Sequence, residues 1–91
     1  MLYVDLNSFF DLEARNDLFK QSMIDEIASH KEENKAIMNV EYDVYRLMIN
    51  FNDNRVEIWD AVMESLGNEQ EPYTSSFDNF IEMLKAYSSN R

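Results

Sequence analysis

Four carboxylates in the second half of the sequence have the spacing of a single helix face. They stand at positions i, i+4, i+7 and i+11 and are Asp53, Glu57, Asp60 and Glu64. On a helix such a set spans roughly 16 Å. A B-DNA strand carries one phosphate about every 3.4 Å along its axis, so the charge density of the row is comparable to that of a phosphate backbone. The spacing therefore predicts a linear acidic surface that would fit a groove lined by Lys and Arg.

Eight further acids extend this pattern, and most of them fall into pairs at i, i+4 or i, i+7. They are Glu69, Glu71, Asp78 and Glu82 in the second half and Glu13, Asp17, Asp25 and Glu32 in the first. No Lys or Arg occurs between Val56 and Leu84. Like charges at i, i+4 destabilise a helix by roughly 0.2–0.5 kcal/mol per pair, and here no base relieves them. We therefore favour charge presentation to a partner over the alternative, an ordinary solvated face.

Patterns typical of catalysis or metal binding are weak in this sequence. The chain has one glycine, which excludes a Gly-rich phosphate loop, and no cysteine, which excludes thiolate nucleophiles and zinc–thiolate sites. The single histidine, His30, excludes any two-His metal motif. A hydrolytic carboxylate dyad would need a desolvated acid, and no position is marked as one. We expect neither an enzyme nor a bound metal or cofactor.

Helical periodicity dominates the elements that would position the acids. Residues 9–33 read as one long helix or as two joined near Asn16, with Ser8 as the N-cap. Residues 54–66 read as a helix that starts at Asn54 and ends at Gly67, and a last helix follows Ser75 or Ser76. The predicted fold is mainly α, a small domain of three to four helices.

Residues 39–51 are ambiguous because their apolar positions fit a helix face as well as a strand. We favour a helix. The alternative is an α+β fold, in which a short sheet or hairpin forms from residues 2–6 and 39–58 with a turn at 52–54.

Composition sets the overall class of the protein. Its 91 residues predict one domain, 1–91, and eighteen Asp and Glu against eight Lys and Arg give a net charge of −10. Such a field repels nucleic acid and anionic membranes and attracts basic surfaces. The absence of cysteine favours a reducing compartment. The N-terminus does not read as a signal peptide and no run is long enough to span a bilayer, so we expect a cytoplasmic protein.

The opening YVDLNSFFDLEARNDLFKQSMIDEIA (3–28), together with the small size, the acidity and the absence of cysteine, resembles the anti-restriction nuclease (Arn) proteins of T-even bacteriophages. The resemblance implies an early phage protein of the host bacterial cytoplasm that mimics double-stranded DNA. It also implies a homodimer. The implied partners are basic DNA-binding proteins of the host, namely a restriction endonuclease and a histone-like nucleoid protein.

An alternative to DNA mimicry is binding through an apolar groove. An apolar groove could make the protein a helical adaptor or an antitoxin-like inhibitor, with the acids serving only solubility. Its residues would be Tyr42, Tyr45, Met48 and Trp59. Binding through such a groove would be nearly indifferent to salt, whereas binding through an acidic row would weaken steeply with salt.

Overall fold

The computed structural model describes residues 2–87 and shows an α+β fold. The strands are β1 (Leu2–Tyr3), β2 (Ile37–Glu41), β3 (Tyr45–Asn50), β4 (Arg55–Asp60), β5 (Gln70–Glu71) and β6 (Tyr73–Ser76). The helices are α1 (Leu6–Glu13), α2 (Asp17–Glu32), α3 (Ala61–Ser65) and α4 (Phe77–Ala86). The mainly α prediction is wrong, because residues 37–60 form three strands in place of helices.

The main sheet is antiparallel and has the strand order β2-β3-β4-β6. Its two central strands set the core: Leu47 lies opposite Ile58 and Ile49 lies opposite Val56, and all four are 0% exposed. Alternate residues of a strand point to opposite faces, so these side chains share one face of the sheet. Met38 of β2 and residues from α1, α2 and α4 complete the same apolar cluster.

Residues 54–66 were predicted as one helix, and this prediction is wrong. The β-branched residues Val56 and Ile58 alternate with Arg55 and Glu57, which is the period of a half-buried strand. Apolar residues recurred at helical spacing only because the strand ends at Asp60, where a new helix begins.

The turn between β3 and β4 explains the false helix start. Asn54 has a φ of 53°, in the left-handed region that Asn tolerates in hairpin turns. The turn predicted at 52–54 for the alternative fold is therefore confirmed. The strand predicted near the N-terminus pairs differently from that alternative, because Leu2 is parallel to Gln70 in a separate two-stranded sheet.

Local capping signals were more reliable than periodicity. Two helices do join near Asn16, whose side chain accepts a hydrogen bond from the Phe19 amide at 2.9 Å. Ser76 caps α4 in the same way, accepting from the Asn79 amide at 3.1 Å. α1, however, begins at Leu6, so Ser8 is not its N-cap.

The end of α3 was also predicted correctly. Gly67 has a φ of 74° and follows the C-cap Leu66. Its amide donates to the Glu64 carbonyl, and the next amide, of Asn68, donates to the Met63 carbonyl, both at 3.1 Å. This pair of bonds is the Schellman arrangement, which a left-handed glycine permits.

None of the helices in residues 2–87 is long and apolar enough to cross a membrane.

The central strand pair should dominate the stability of the fold. Leu47→Ala should lower the free energy of unfolding by about 2–5 kcal/mol, since Leu47 is 0% exposed and its loss leaves a cavity. The matched variant Leu18→Ala removes the same atoms from a side chain that is 76% exposed and should cost no more than about 0.5 kcal/mol. Urea unfolding of both variants measures the difference, and equal losses would contradict the sheet-centred core.

Candidate partner-binding surface

The four carboxylates that were predicted to line one helix face do not lie on one helix. Asp53 lies in the turn between β3 and β4, Glu57 and Asp60 lie on β4, and Glu64 lies on α3. Residues three apart on a strand point to opposite faces, so Glu57 and Asp60 cannot line up. The interpretation of these four acids as one phosphate-like helix face is therefore wrong.

Two of the four acids are held by arginine. Both carboxylate oxygens of Glu64 accept from Arg46, at 3.0 and 2.8 Å, and this bond holds the pKa of Glu64 below its usual range. Glu57 pairs with Arg55 at 3.1 Å. Arg46 and Arg55 lie on neighbouring strands and face away from the core, so both ion pairs belong to the outer side of the sheet.

The other two acids have local structural roles. Asp60 caps α3 by accepting from the Met63 amide at 2.9 Å. Asp53 accepts from the Asn50 side-chain amide at 3.2 Å within the turn. All four members of the predicted row thus have a partner inside the protein.

The predicted acids that follow α3 are exposed but scattered over several elements. Glu69 lies in the loop before β5, Glu71 lies on β5, and Asp78 and Glu82 lie one turn apart on α4. Asp78 accepts from the Asn54 side-chain amide at 3.3 Å, which ties it to the β3–β4 turn. These acids add charge to the surface without forming one line.

Three of the predicted acids lie together on one helix, α2. Asp17, Asp25 and Glu32 are exposed and stand eight and seven residues apart. On a helix these separations are about 12 Å and about 10 Å along the axis. With 3.6 residues per turn, Asp25 and Glu32 lie about 20° apart on the side opposite the buried Met23 and Ile27, and Asp17 lies about 80° around the helix from Asp25. We call these three residues the α2 acidic face. Glu13, predicted as a partner of Asp17 on one helix, ends α1 instead.

The basic residues of α2 are turned away from the α2 acidic face. The Lys20 ammonium group donates to the carbonyls of Lys85 and Tyr87, at 2.9 and 2.7 Å, at the C-terminal end of α4. The Lys31 ammonium group lies 5.2 Å from the centre of the Phe77 ring. Both lysines contact α4, so neither neutralises the acids on the outer side of α2.

A cavity of about 440 Å³ lies where α1 and α2 meet the turn between β2 and β3. Its apolar wall is Leu12, Phe19, Met23 and Val44, and its polar wall is Glu13, Arg15, Ser22, Glu26, Tyr42 and Asp43. We call it the α1–α2 cavity. Three carboxylates against one guanidinium group make it acidic.

Burial raises the pKa values of two groups that line the α1–α2 cavity. Burial, and then the nearby charge of Asp43, raises the pKa of Glu13 above its usual range. Burial, and then the charges of Glu26 and Glu13, raises the pKa of Tyr42. The Tyr42 hydroxyl is buried and has no hydrogen-bond partner among residues 2–87.

The predicted apolar groove is not assembled. Tyr45 faces the core, where its ring contacts Phe9 edge to face at 5.6 Å. Met48 and Trp59 face the outer side of the sheet, and Arg46 lies 5.5 Å from the centre of the Trp59 ring. Because these side chains occupy opposite faces of one sheet, they cannot line a common groove.

Within the part of the chain that the structure describes, no group of three or more His, Asp or Glu side chains is placed to hold a metal ion.

Comparisons with protein-family models, with curated proteins and with solved structures each found no match to this chain. The resemblance of residues 3–28 to the Arn proteins therefore stays a prediction, as do the partners and the dimer that it implies.

The structural role of Asp60 can be tested by removing its side chain. Asp60→Ala should lower the free energy of unfolding by about 1 kcal/mol, because the Met63 amide loses its cap. Glu82→Ala, at an exposed position of α4, should change it by less than about 0.5 kcal/mol. Urea unfolding gives both values, and an unchanged stability for Asp60→Ala would show that the cap does not form.

Glu13 should make the stability depend on pH. A carboxyl group whose pKa is raised in the native state binds its proton more tightly there, so its contribution to stability falls as the pH rises from the ordinary value of 4.5 through the raised one. Glu13→Gln removes this loss, and the variant should gain stability relative to wild type between pH 4 and pH 7 (roughly the window set by the direction of the shift).

Urea unfolding of both proteins at the two pH values measures this gain. In an Asp43→Asn background the gain should shrink, because the Asp43 charge is the second cause of the shift after burial. A gain that is absent at neutral pH would contradict the burial of Glu13.

Proposed function

We propose that the protein is a DNA-mimic inhibitor that presents carboxylates to basic DNA-binding proteins. The observation that carries the proposal is the α2 acidic face, a set of exposed acids along one helix whose neighbouring lysines contact α4. The net charge supports it, because eighteen Asp and Glu against eight Lys and Arg leave at least ten carboxylates with no cation of the chain to pair with.

The spacing of the α2 acidic face is compatible with a phosphate backbone at lower density. Its ends are fifteen residues apart, which is about 22 Å on a helix. A DNA strand carries about six or seven phosphates over that length. Each carboxylate therefore corresponds to roughly every third phosphate, and a Lys- or Arg-lined groove would meet charges at a subset of its contacts.

The proposed partners are basic DNA-binding proteins of the bacterial host, a restriction endonuclease and a histone-like nucleoid protein. The protein would act in the host cytoplasm, by occupying the groove that binds phosphates and without catalysing a reaction. A homodimer would carry two α2 acidic faces and so offer a longer acidic surface. We propose these partners because residues 3–28 resemble the Arn proteins.

Charge removal on α2 tests this function. Asp17→Asn, Asp25→Asn and Glu32→Gln together should weaken binding to a purified histone-like nucleoid protein at least tenfold, because the charge of the α2 acidic face is lost. The control triple variant Glu41→Gln, Asp53→Asn, Glu64→Gln has the same net charge but changes the sheet side. It should weaken binding less than threefold.

Isothermal titration calorimetry at low and at moderate salt measures the affinity for the nucleoid protein, and a short DNA duplex serves as competitor. Binding should fall steeply with salt, and the duplex should displace the protein. Equal losses for the two triple variants would show that only bulk charge matters. An affinity indifferent to both salt and duplex would refute DNA mimicry.

A further inference from the structure

The α1–α2 cavity combines a shape and a set of groups that the α2 acidic face lacks. Its volume of about 440 Å³ lies within the usual range of ligand pockets, about 300–1,000 Å³. One wall is apolar and includes Phe19, and the other carries the carboxylates of Glu13, Glu26 and Asp43. An apolar wall facing several carboxylates suits a ligand with an alkyl part and a cationic head.

The cavity already shows which cationic head its aromatic wall accepts. The Arg15 guanidinium carbon lies 4.6 Å from the centre of the Phe19 ring, which is a stacking contact between cation and ring. Phe19 remains 40% exposed beneath this contact, so the ring still has surface to offer. A planar guanidinium group stacks on such a ring better than a strongly hydrated ammonium group does.

The polar wall has hydrogen-bonding capacity that the protein itself does not use. The carboxylate oxygens of Glu13, Glu26 and Asp43 provide this capacity, whereas the Tyr42 hydroxyl is sealed from solvent and therefore from a ligand in the cavity. Glu13 is partly desolvated beside the Asp43 charge. A guanidinium group would relieve the repulsion between these acids and bring donors to the wall, since it carries five N–H groups.

We propose that the α1–α2 cavity binds the guanidinium group of an arginine side chain supplied by the basic protein partner. That the arginine comes from a basic protein partner rests on the proposed function. That the cavity binds a guanidinium group rests on the residues of the cavity alone. The bound group would stack on Phe19 and donate to Glu13 and Asp43. The cavity would thus add one specific contact to the diffuse attraction of the acidic surface.

The chemistry is tested with N-ethylguanidinium as the probe, titrated into the full chain and followed by amide NMR shifts. Saturable shifts should centre on the cavity residues, and N-ethylammonium should bind several-fold more weakly. The double variant Glu13→Gln, Asp43→Asn should weaken the binding of N-ethylguanidinium at least tenfold, and Phe19→Leu should weaken that binding several-fold. Glu32→Gln, an acid outside the cavity, should leave the affinity within twofold.

Three results would overturn the cavity proposal. They are the absence of saturable shifts, shifts spread evenly over the acidic surface, and a loss for Glu32→Gln as large as that for the cavity variants. The amide spectrum of each variant also reports whether it is folded, so a misfolded variant is recognised. If Phe19→Leu misfolds, Phe19→Tyr replaces it and should retain binding, because its ring can still stack.

The source of the guanidinium group is tested with the partner. Phe19→Leu keeps the net charge, so a several-fold loss of affinity for the histone-like nucleoid protein would locate a partner arginine in the cavity. An unchanged affinity would refute the partner as the source, even if N-ethylguanidinium binds. If wild type fails to bind the nucleoid protein at all, the proposed function fails, and the N-ethylguanidinium titration still decides the chemistry of the cavity.

Discussion

The burial of one face of the central strand pair determines where every other group of the protein can lie. Leu47, Ile49, Val56 and Ile58 are fully buried on the same side of the sheet, and all three long helices pack against that side. Every alternate residue of β3 and β4 is thereby directed to the opposite side. A shift of one residue in register would bury Arg46 and Glu57 and expose the core.

This constraint sorts the charged residues into two groups. On the outer side of the sheet, the arginines lie within reach of carboxylates and form ion pairs, as Arg46 does with Glu64. On the helical side, the lysines of α2 contact α4, which leaves the outer side of α2 acidic. The negative field that a partner meets therefore differs between the two sides of the molecule, although both halves of the sequence are acidic.

Sequence reasoning succeeded where the signal was local and failed where it depended on periodicity. The caps at Asn16 and Ser76 and the left-handed Gly67 were predictable, because a cap needs only its own residue and the next few amides. β4 was not, because Val56 and Trp59 fit a helix stripe as well as a strand. The wrong period over residues 54–66 created the false acidic row, and together with the helix favoured for residues 39–51 it led to the mainly α prediction. The exposed acids of α2 kept their places because their helix was predicted correctly.

Most of the α1–α2 cavity could not be predicted from the sequence. Glu26 and Asp43 are seventeen positions apart, and only the packing of α2 against the β2–β3 turn brings both to one cavity. Tyr42 was predicted to share a groove with Met48 and Trp59, but its ring packs against the buried Phe9, whereas Met48 and Trp59 lie on the outer side of the sheet. A weak hint was present in the sequence: Glu13, Arg15 and Phe19 flank the helix break at Asn16.

The most direct test of the central claim is a map of the surface that a basic DNA-binding protein covers. Amide NMR shifts of this protein, recorded while a purified histone-like nucleoid protein is added, give that map. If α2 presents the acids to the partner, the largest changes fall on residues 17–32 of α2. Changes centred on Met48 and Trp59, on the outer side of the sheet, would contradict this role of α2.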